Sequence, residues 1–253
     1  MSTNEVIRSR SVITHPEQPV EPKALVLSGI LLAIGFLALP IAGAFHPDGP
    51  LNDHPAVFTE YARSVGWTAD HVAFFAAYAI TIAGLIVLFY ALDLPPGISW
   101  LLSKIGIAAA GAALALSAVR FAVDGVVLKR AVDAWLIAPS ADKPARFASA
   151  ETVRWMEEAT VSYQSFLLAI VVLLLGGVVV ATARIPRLIG YLLILAGIAY
   201  LAVGWVLGES GFAAAGAVPT YLAQFTQLIL SACLLVVAWR IHRSSPEPEV
   251  SRR

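Results

Sequence analysis

Cysteine is nearly absent: Cys233 stands alone among 253 residues, so a disulfide scaffold is excluded. Charge is scarce too. Seventeen Lys/Arg balance seventeen Asp/Glu, together 13% of the chain, about half the share of a soluble domain. With a net charge of zero and no basic stripe, a nucleic-acid partner is excluded. The ends concentrate what charge there is, six groups in 1–23 and six in 240–253, leaving 22 for the 216 residues between. No Asp, Glu, Lys, Arg or His falls near the middle of a long apolar run. Such residues mark proton relays and ion-coupled transport, so their absence argues against a pump or secondary transporter.

What is abundant is hydrocarbon. Hydrophobic residues make up 58% of the chain, and the mean hydropathy is +0.78. A soluble globule of this size needs more polar surface, so the composition predicts a polytopic membrane protein. A membrane-crossing helix needs roughly 20 apolar residues. Six runs qualify: 24–45, 72–92, 100–121 (with Lys104 and Arg120 snorkelling), 159–183, 188–208 and 210–239. None alternates as barrel strands do, so the backbone must satisfy itself in helices. Trp67, Trp100, Trp205 and Trp239 fall at run ends, where interfacial indoles are expected.

The predicted fold is an all-α membrane protein of six transmembrane helices with an extracytoplasmic helical cap. Residues 1–23 and 242–253 are expected to be disordered cytoplasmic tails. The transmembrane domain spans 24–241, with outer loops 46–70, 122–158 and 208–219. Both termini are assigned to the cytoplasmic face of a cell membrane, because ten Lys/Arg lie on that side against seven opposite. Ala42-Gly43-Ala44 resembles a signal cleavage site, but the preceding apolar stretch is too long, which favours a retained first span.

Small residues should set the helix contacts, since lipid tails supply no hydrophobic drive for association. Gly106, Ala110, Ala113 and Ser117 form one stripe, Gly190, Gly197 and Gly204 another, and Gly176-Gly177 sits centrally in its span. Gln224, Gln227 and Ser231 share a face expected to look into the bundle. Residues 95–108 and 186–199 look alike, and at that offset Glu60-x-x-Arg63 falls on Glu151-x-x-Arg154. This suggests a duplicated hairpin.

Polar chemistry gathers in the outer loops. Asn52 or Asp53 is expected to cap a short helix containing Pro55. Its Val57, Phe58, Tyr61 and Val65 would lie on the membrane surface. Thr68 is expected to cap the second span. Val127, Leu128, Ala131, Val132 and Trp135 form an apolar stripe, with Lys129, Arg130 and Asp133 facing away. Helix should resume near Ser149.

Two constellations could carry function. His46, His54 and His71, near Asp48, Asp53 and Asp70, are candidate metal or haem ligands by donor type, though their spacing matches no metal motif. Arg120, Asp124, Glu157, Glu158 and Glu209 are candidates for a polar outer pocket. Arg120–Asp124 and Arg154–Glu158 are alternatively ordinary i,i+4 ion pairs. Gly208-Glu-Ser210-Gly211 matches the Gly-x-Ser-Gly of rhomboid-type proteases, but span 6 has no histidine base, and the glycines more simply end a helix.

The order His46-Pro, Trp67 followed by His71, Val123-Asp-Gly-Val-Val-Leu-Lys-Arg-Ala-Val-Asp133 and Val153-Arg-Trp-Met-Glu-Glu158 resembles an uncharacterised family of six-span bacterial integral membrane proteins, frequent in actinobacteria. The resemblance covers most of 24–240 and implies no activity. Arginine outnumbers lysine 13 to 4, which fits a GC-rich bacterial genome. The functional expectation is a non-catalytic protein that binds a small molecule or lipid, or accompanies another membrane component. The alternative is a membrane enzyme or electron-transfer protein with a metal or haem site on the outer face; the sequence names no cofactor. Expected partners are the lipid bilayer and, beyond it, other membrane proteins or a second copy of the chain.

Overall fold

The computed structural model describes residues 20–47, 49–50 and 52–244. The predicted tails over 1–19 and 245–253, and Asp48 of the histidine constellation, lie outside the described residues. Eight α-helices account for most of the rest: α1 (Pro22–Gly43), α2 (His54–Arg63), α3 (Trp67–Ala91), α4 (Ile98–Ala122), α5 (Lys129–Leu136), α6 (Lys143–Thr182), α7 (Arg187–Ser210) and α8 (Ala217–Ser244). A π-helical segment, Val123–Leu128, joins α4 to α5 without a break. Six helical rods are long and apolar enough to cross a membrane, and the described residues contain no strand. The chain is a multi-pass, all-α membrane protein.

The rods outrun the runs that predicted them. α1 starts inside the expected tail at Pro22, where proline's missing N–H costs nothing, with Glu21 accepting from the Lys23 N–H at 3.0 Å. α6 has 40 residues, about 60 Å at 1.5 Å per residue, twice a hydrocarbon core of about 30 Å. It resumes at Lys143 rather than near Ser149, with Pro144 in its first turn. The excess length of α6, with the π segment and α5, rises beyond the ends of α1 and α3. There it meets α2 to form a cap.

Close approach holds the bundle where small residues permit it. Gly176 of α6 faces Gly190 of α7 so tightly that a Cβ on either would stand within 2.9 Å of the other's carbonyl oxygen. Gly106, Ala110, Ala113 and Ser117 are all buried, as their stripe predicts. Gln227 and Ser231 are buried as well, with the Gln227 amide bonded to the Tyr200 hydroxyl, whereas Gln224 of the same predicted face is exposed. Along this length the core is Leu, Val, Ile and Ala with Phe36 and Phe89.

The cap corrects several expectations. Asp53 does cap α2, its Oδ1 accepting the Ala56 N–H at 3.2 Å. The apolar side of α2 does not lie on lipid, however: Val57, Phe58 and Tyr61 pack with Leu128, Val132 and Ala150 in a second core. Val65 falls beyond the helix and is fully exposed. Trp67 begins α3 and is 1% exposed, so it is a core residue rather than an interfacial anchor. Gly66, not Thr68, occupies the cap position of α3. The π turn alters the predicted stripe: Leu128 and Val132 turn inward, Val127 turns outward, and Lys129 donates to the Ala62 carbonyl (3.1 Å) and to Asp133 (2.6 Å).

Candidate functional site

The level at which α1 ends and α3 begins is also the level at which charge enters the bundle. His71 lies one turn into α3, and its Nδ1–H donates to the Trp67 carbonyl at 2.7 Å. Opposite it, the π segment presents Asp124, whose Oδ2 stands 2.9 Å from His71 Nε2, at ion-pair distance. Two features of the π segment allow this meeting. Gly125 must be glycine, because a Cβ there would come within 2.6 Å of the His71 Cβ. The Asp124 carbonyl accepts the indole N–H of Trp67 at 3.1 Å, which ties the segment to the start of α3. Single π turns inside α-helices recur at functional sites.

α6 supplies the other wall. Arg154 pairs with Glu157 at 2.7 Å, both below 10% exposure, and donates to the Tyr61 hydroxyl at 3.2 Å. Its guanidinium stacks on Phe212, 4.2 Å from the ring centre. Burial pushes the Tyr61 hydroxyl above its ordinary range, against the pull of the Arg154 cation, so it stays neutral.

One turn deeper, Arg120 donates to Gln164 Oε1 at 2.9 Å, and Gln164 spends its amide N–H on Ser117 at 2.5 Å. The expected Arg120–Asp124 pair is absent: among the described residues Arg120 forms no ion pair, and its guanidinium lies 4.6 Å from the centre of the Phe121 ring. The i,i+4 spacing presupposes an α-helix, and Asp124 sits where the helix widens.

His46, just past α1, completes the site. Its Nδ1–H donates to the Pro47 carbonyl at 3.0 Å, and its ring packs against Tyr61, Trp67, His71 and Phe74. Burial holds the imidazole below its ordinary range, opposed mainly by the Asp124 carboxylate. His46, Tyr61, His71, Arg120, Asp124, Arg154 and Glu157 line one cavity of about 320 Å³. Three side-chain atoms of this set, Arg120 Nε, Asp124 Oδ1 and Arg154 Nε, are buried without a hydrogen-bond partner among the described residues, whereas His71 Nε2 is engaged by Asp124 Oδ2. Unsatisfied buried polar atoms are rare in folded proteins, and here three belong to residues lining one cavity.

The two constellations read from sequence are thus one site, with members lost and gained. His46, His71, Arg120, Asp124 and Glu157 converge. Glu158 lies beside it, 3.8 Å from Arg154 and packed against Gly211. Glu209 is exposed and does not line the cavity. His54 is diverted to Glu151 at 2.9 Å within the cap, so Glu151 does not pair with Arg154. The Glu-x-x-Arg resemblance therefore joins unlike contacts, since Glu60 does pair with Arg63. Among the described residues no three His, Cys, Asp or Glu side chains are placed to hold a metal ion. His46 and His71 do not form a free imidazole pair, because His71 has one ring nitrogen on a carbonyl and the other at a carboxylate.

Tyr61 and Gln164 are the members that sequence reasoning missed, along with Arg154's place in the cavity. Gln164 had a signal, as the amide of a span that also contains Gly176 and Gly177. Tyr61 had none beyond its place on the apolar side of α2. Gly208-Glu-Ser210-Gly211 is the end of α7, with Gly211 in the left-handed conformation at φ +63°. No family model, curated protein or solved structure matches the chain.

Proposed function

We propose that this protein binds a small molecule carrying a charged or strongly polar group, and holds that group in the cavity beneath the cap. One observation carries the reading. Charged side chains from two rods, Arg120 and Asp124 on one and Arg154 on the other, keep donors and acceptors unspent around a single cavity. Burying a charge without full pairing is costly, and a complementary guest offsets that cost. We further place the cap outside a cell membrane and both termini in the cytoplasm, on the excess of Lys/Arg in the tail-side segments. The metal or haem reading finds less support, because its three histidines do not converge and His71 has no ring nitrogen to spare.

The test is native mass spectrometry of the full chain, purified from its own membranes and released from detergent. The wild type should carry a discrete adduct that Asp124→Asn and Arg154→Met each weaken. A wild-type chain that emerges bare would overturn the proposal.

A further inference from the structure

A second cavity, of about 450 Å³, runs from the α7–α8 connection (Gly211, Ala213, Gly216) deeper into the bundle between α1, α3, α4, α6, α7 and α8. Arg120 and Phe212 line both cavities, so the two adjoin at that pair. Their chemistry differs. Among the described residues Arg120 is the only charged one lining the deeper space, which otherwise meets Tyr78, Leu168, Val203 and Leu207 together with several amides and hydroxyls. Its buried amides are largely engaged already, Gln164 with Arg120 and Ser117, Gln227 with Tyr200. What the walls offer a guest is mainly hydrocarbon and ring faces. Among the described residues Arg120, at the junction, forms no ion pair, and its Nε has no hydrogen-bond partner.

Resting on the reading above, we propose that the ligand is a single-chain amphiphile with an anionic headgroup, its charge beside Arg120 and Arg154 and its chain in the deeper cavity. An uncharged guest would leave the Arg120 Nε–H without a charged acceptor, whereas a carboxylate or a phosphate supplies the missing charge-assisted hydrogen bond. A headgroup without a chain would leave the apolar cavity without a complementary partner. Free fatty acids and lysophosphatidic acids both meet these requirements. The chain would enter from the membrane side, where Ala217 and Tyr221 at the start of α8 line the deeper cavity and remain exposed.

The experiment uses the full chain in phosphatidylcholine nanodiscs and three photoreactive probes, each with a diazirine at the end of a twelve-carbon chain: a carboxylic acid, a lysophosphatidic acid and the uncharged alcohol. Labelled residues are mapped by mass spectrometry. Saturable labelling of α6, α7 and α8 residues lining the deeper cavity is expected from the acid, the lysophosphatidic acid or both, and which of them labels identifies the source. Arg120→Gln should weaken labelling at least about tenfold, with Arg120→Lys partly restoring it. Val203→Trp, which fills the chain cavity and leaves the headgroup site intact, should abolish it even if Arg120→Gln fails to fold. The inference is overturned if the alcohol labels as well as the anions, or if labels fall only on lipid-facing side chains such as Leu195 and Ile198. A chainless, water-soluble adduct in the native mass spectrum would overturn this inference alone. Absence of both adduct and saturable labelling would overturn the binding reading with it.

Discussion

Helix α6 meets its neighbours by two different means along its length. In its tail-side half, Leu168, Val172, Leu175 and Val179 pack as hydrocarbon, and Gly176 brings the backbone against Gly190 of α7. In its cap-side half, Arg154, Glu157 and Gln164 meet Tyr61, Arg120 and Ser117 through hydrogen bonds and charge. The first half is complete in itself: its surfaces interlock and ask for nothing more. The second leaves polar atoms over, and those atoms surround a cavity. A membrane helix that only needs an anchor can use the first kind of contact throughout. The second kind carries a folding cost that the proposed ligand would offset.

The sharpest way to break the comparison is at Arg154. Arg154→Met leaves Glu157 buried without its cation, and should destabilise the protein by about 3–5 kcal/mol. The double variant Arg154→Met/Glu157→Met should regain most of that loss. Denaturation in mixed micelles measures both. A double variant no better than the single would show that the pair is not the coupled unit described here.

Next in size is the glycine seam. Gly176→Ala would press a methyl to within 2.8 Å of the Gly190 carbonyl oxygen, which is backbone and cannot move aside. A loss of about 1–3 kcal/mol is expected. The adjacent Gly177 has open space around it, so Gly177→Ala should be neutral, or stabilising by up to about 1 kcal/mol through helix propensity. Opposite signs at adjacent residues would confirm that α6 faces α7 in this register.

His46 gives a pH test of the cap-side half. Its pKa is lowered by burial, so the unfolded chain takes up the proton first as pH falls. The stabilisation is therefore complete above the ordinary imidazole value near 6.5 and declines as pH drops from there to the lowered folded value. The slope is at most about 1.4 kcal/mol per pH unit. Tyr61 of α2, Asp70 and His71 of α3 and Asp124 of the π segment are the titratable groups facing it. His46→Gln should flatten the melting temperature between pH 7.5 and 5.5 relative to wild type. Parallel curves for the two proteins would contradict the burial.

The smallest expected effect is Ser117→Ala, which removes one hydrogen bond to Gln164. About 0.6 kcal/mol is typical for such bonds within a membrane. The amphiphile probes should reveal it more readily than melting would, because Gln164 also orients Arg120.

Much of the bundle was legible in the amino-acid order because its determinants are local. The length of an apolar run sets whether a helix can cross, and the repeat of Gly190, Gly197 and Gly204 places three small residues on one side whatever lies opposite. The site was legible only as two separate lists. His46 and His71 read as possible ligands, and Arg120 and Asp124 as a helical ion pair, because nothing in residue spacing says which rod faces which.

The six rods, their small-residue seams and the shortage of charge within them followed from sequence alone, since each depends on residues adjacent along one helix. The tertiary structure alone decided that a π turn at Val123–Leu128 presents Asp124 to His71, that Arg120 turns to Gln164, and that Glu209 and His54 stay outside. Long charged side chains have several partners within reach at similar spacing. Only the packing of α3, α4 and α6 against one another selects among them.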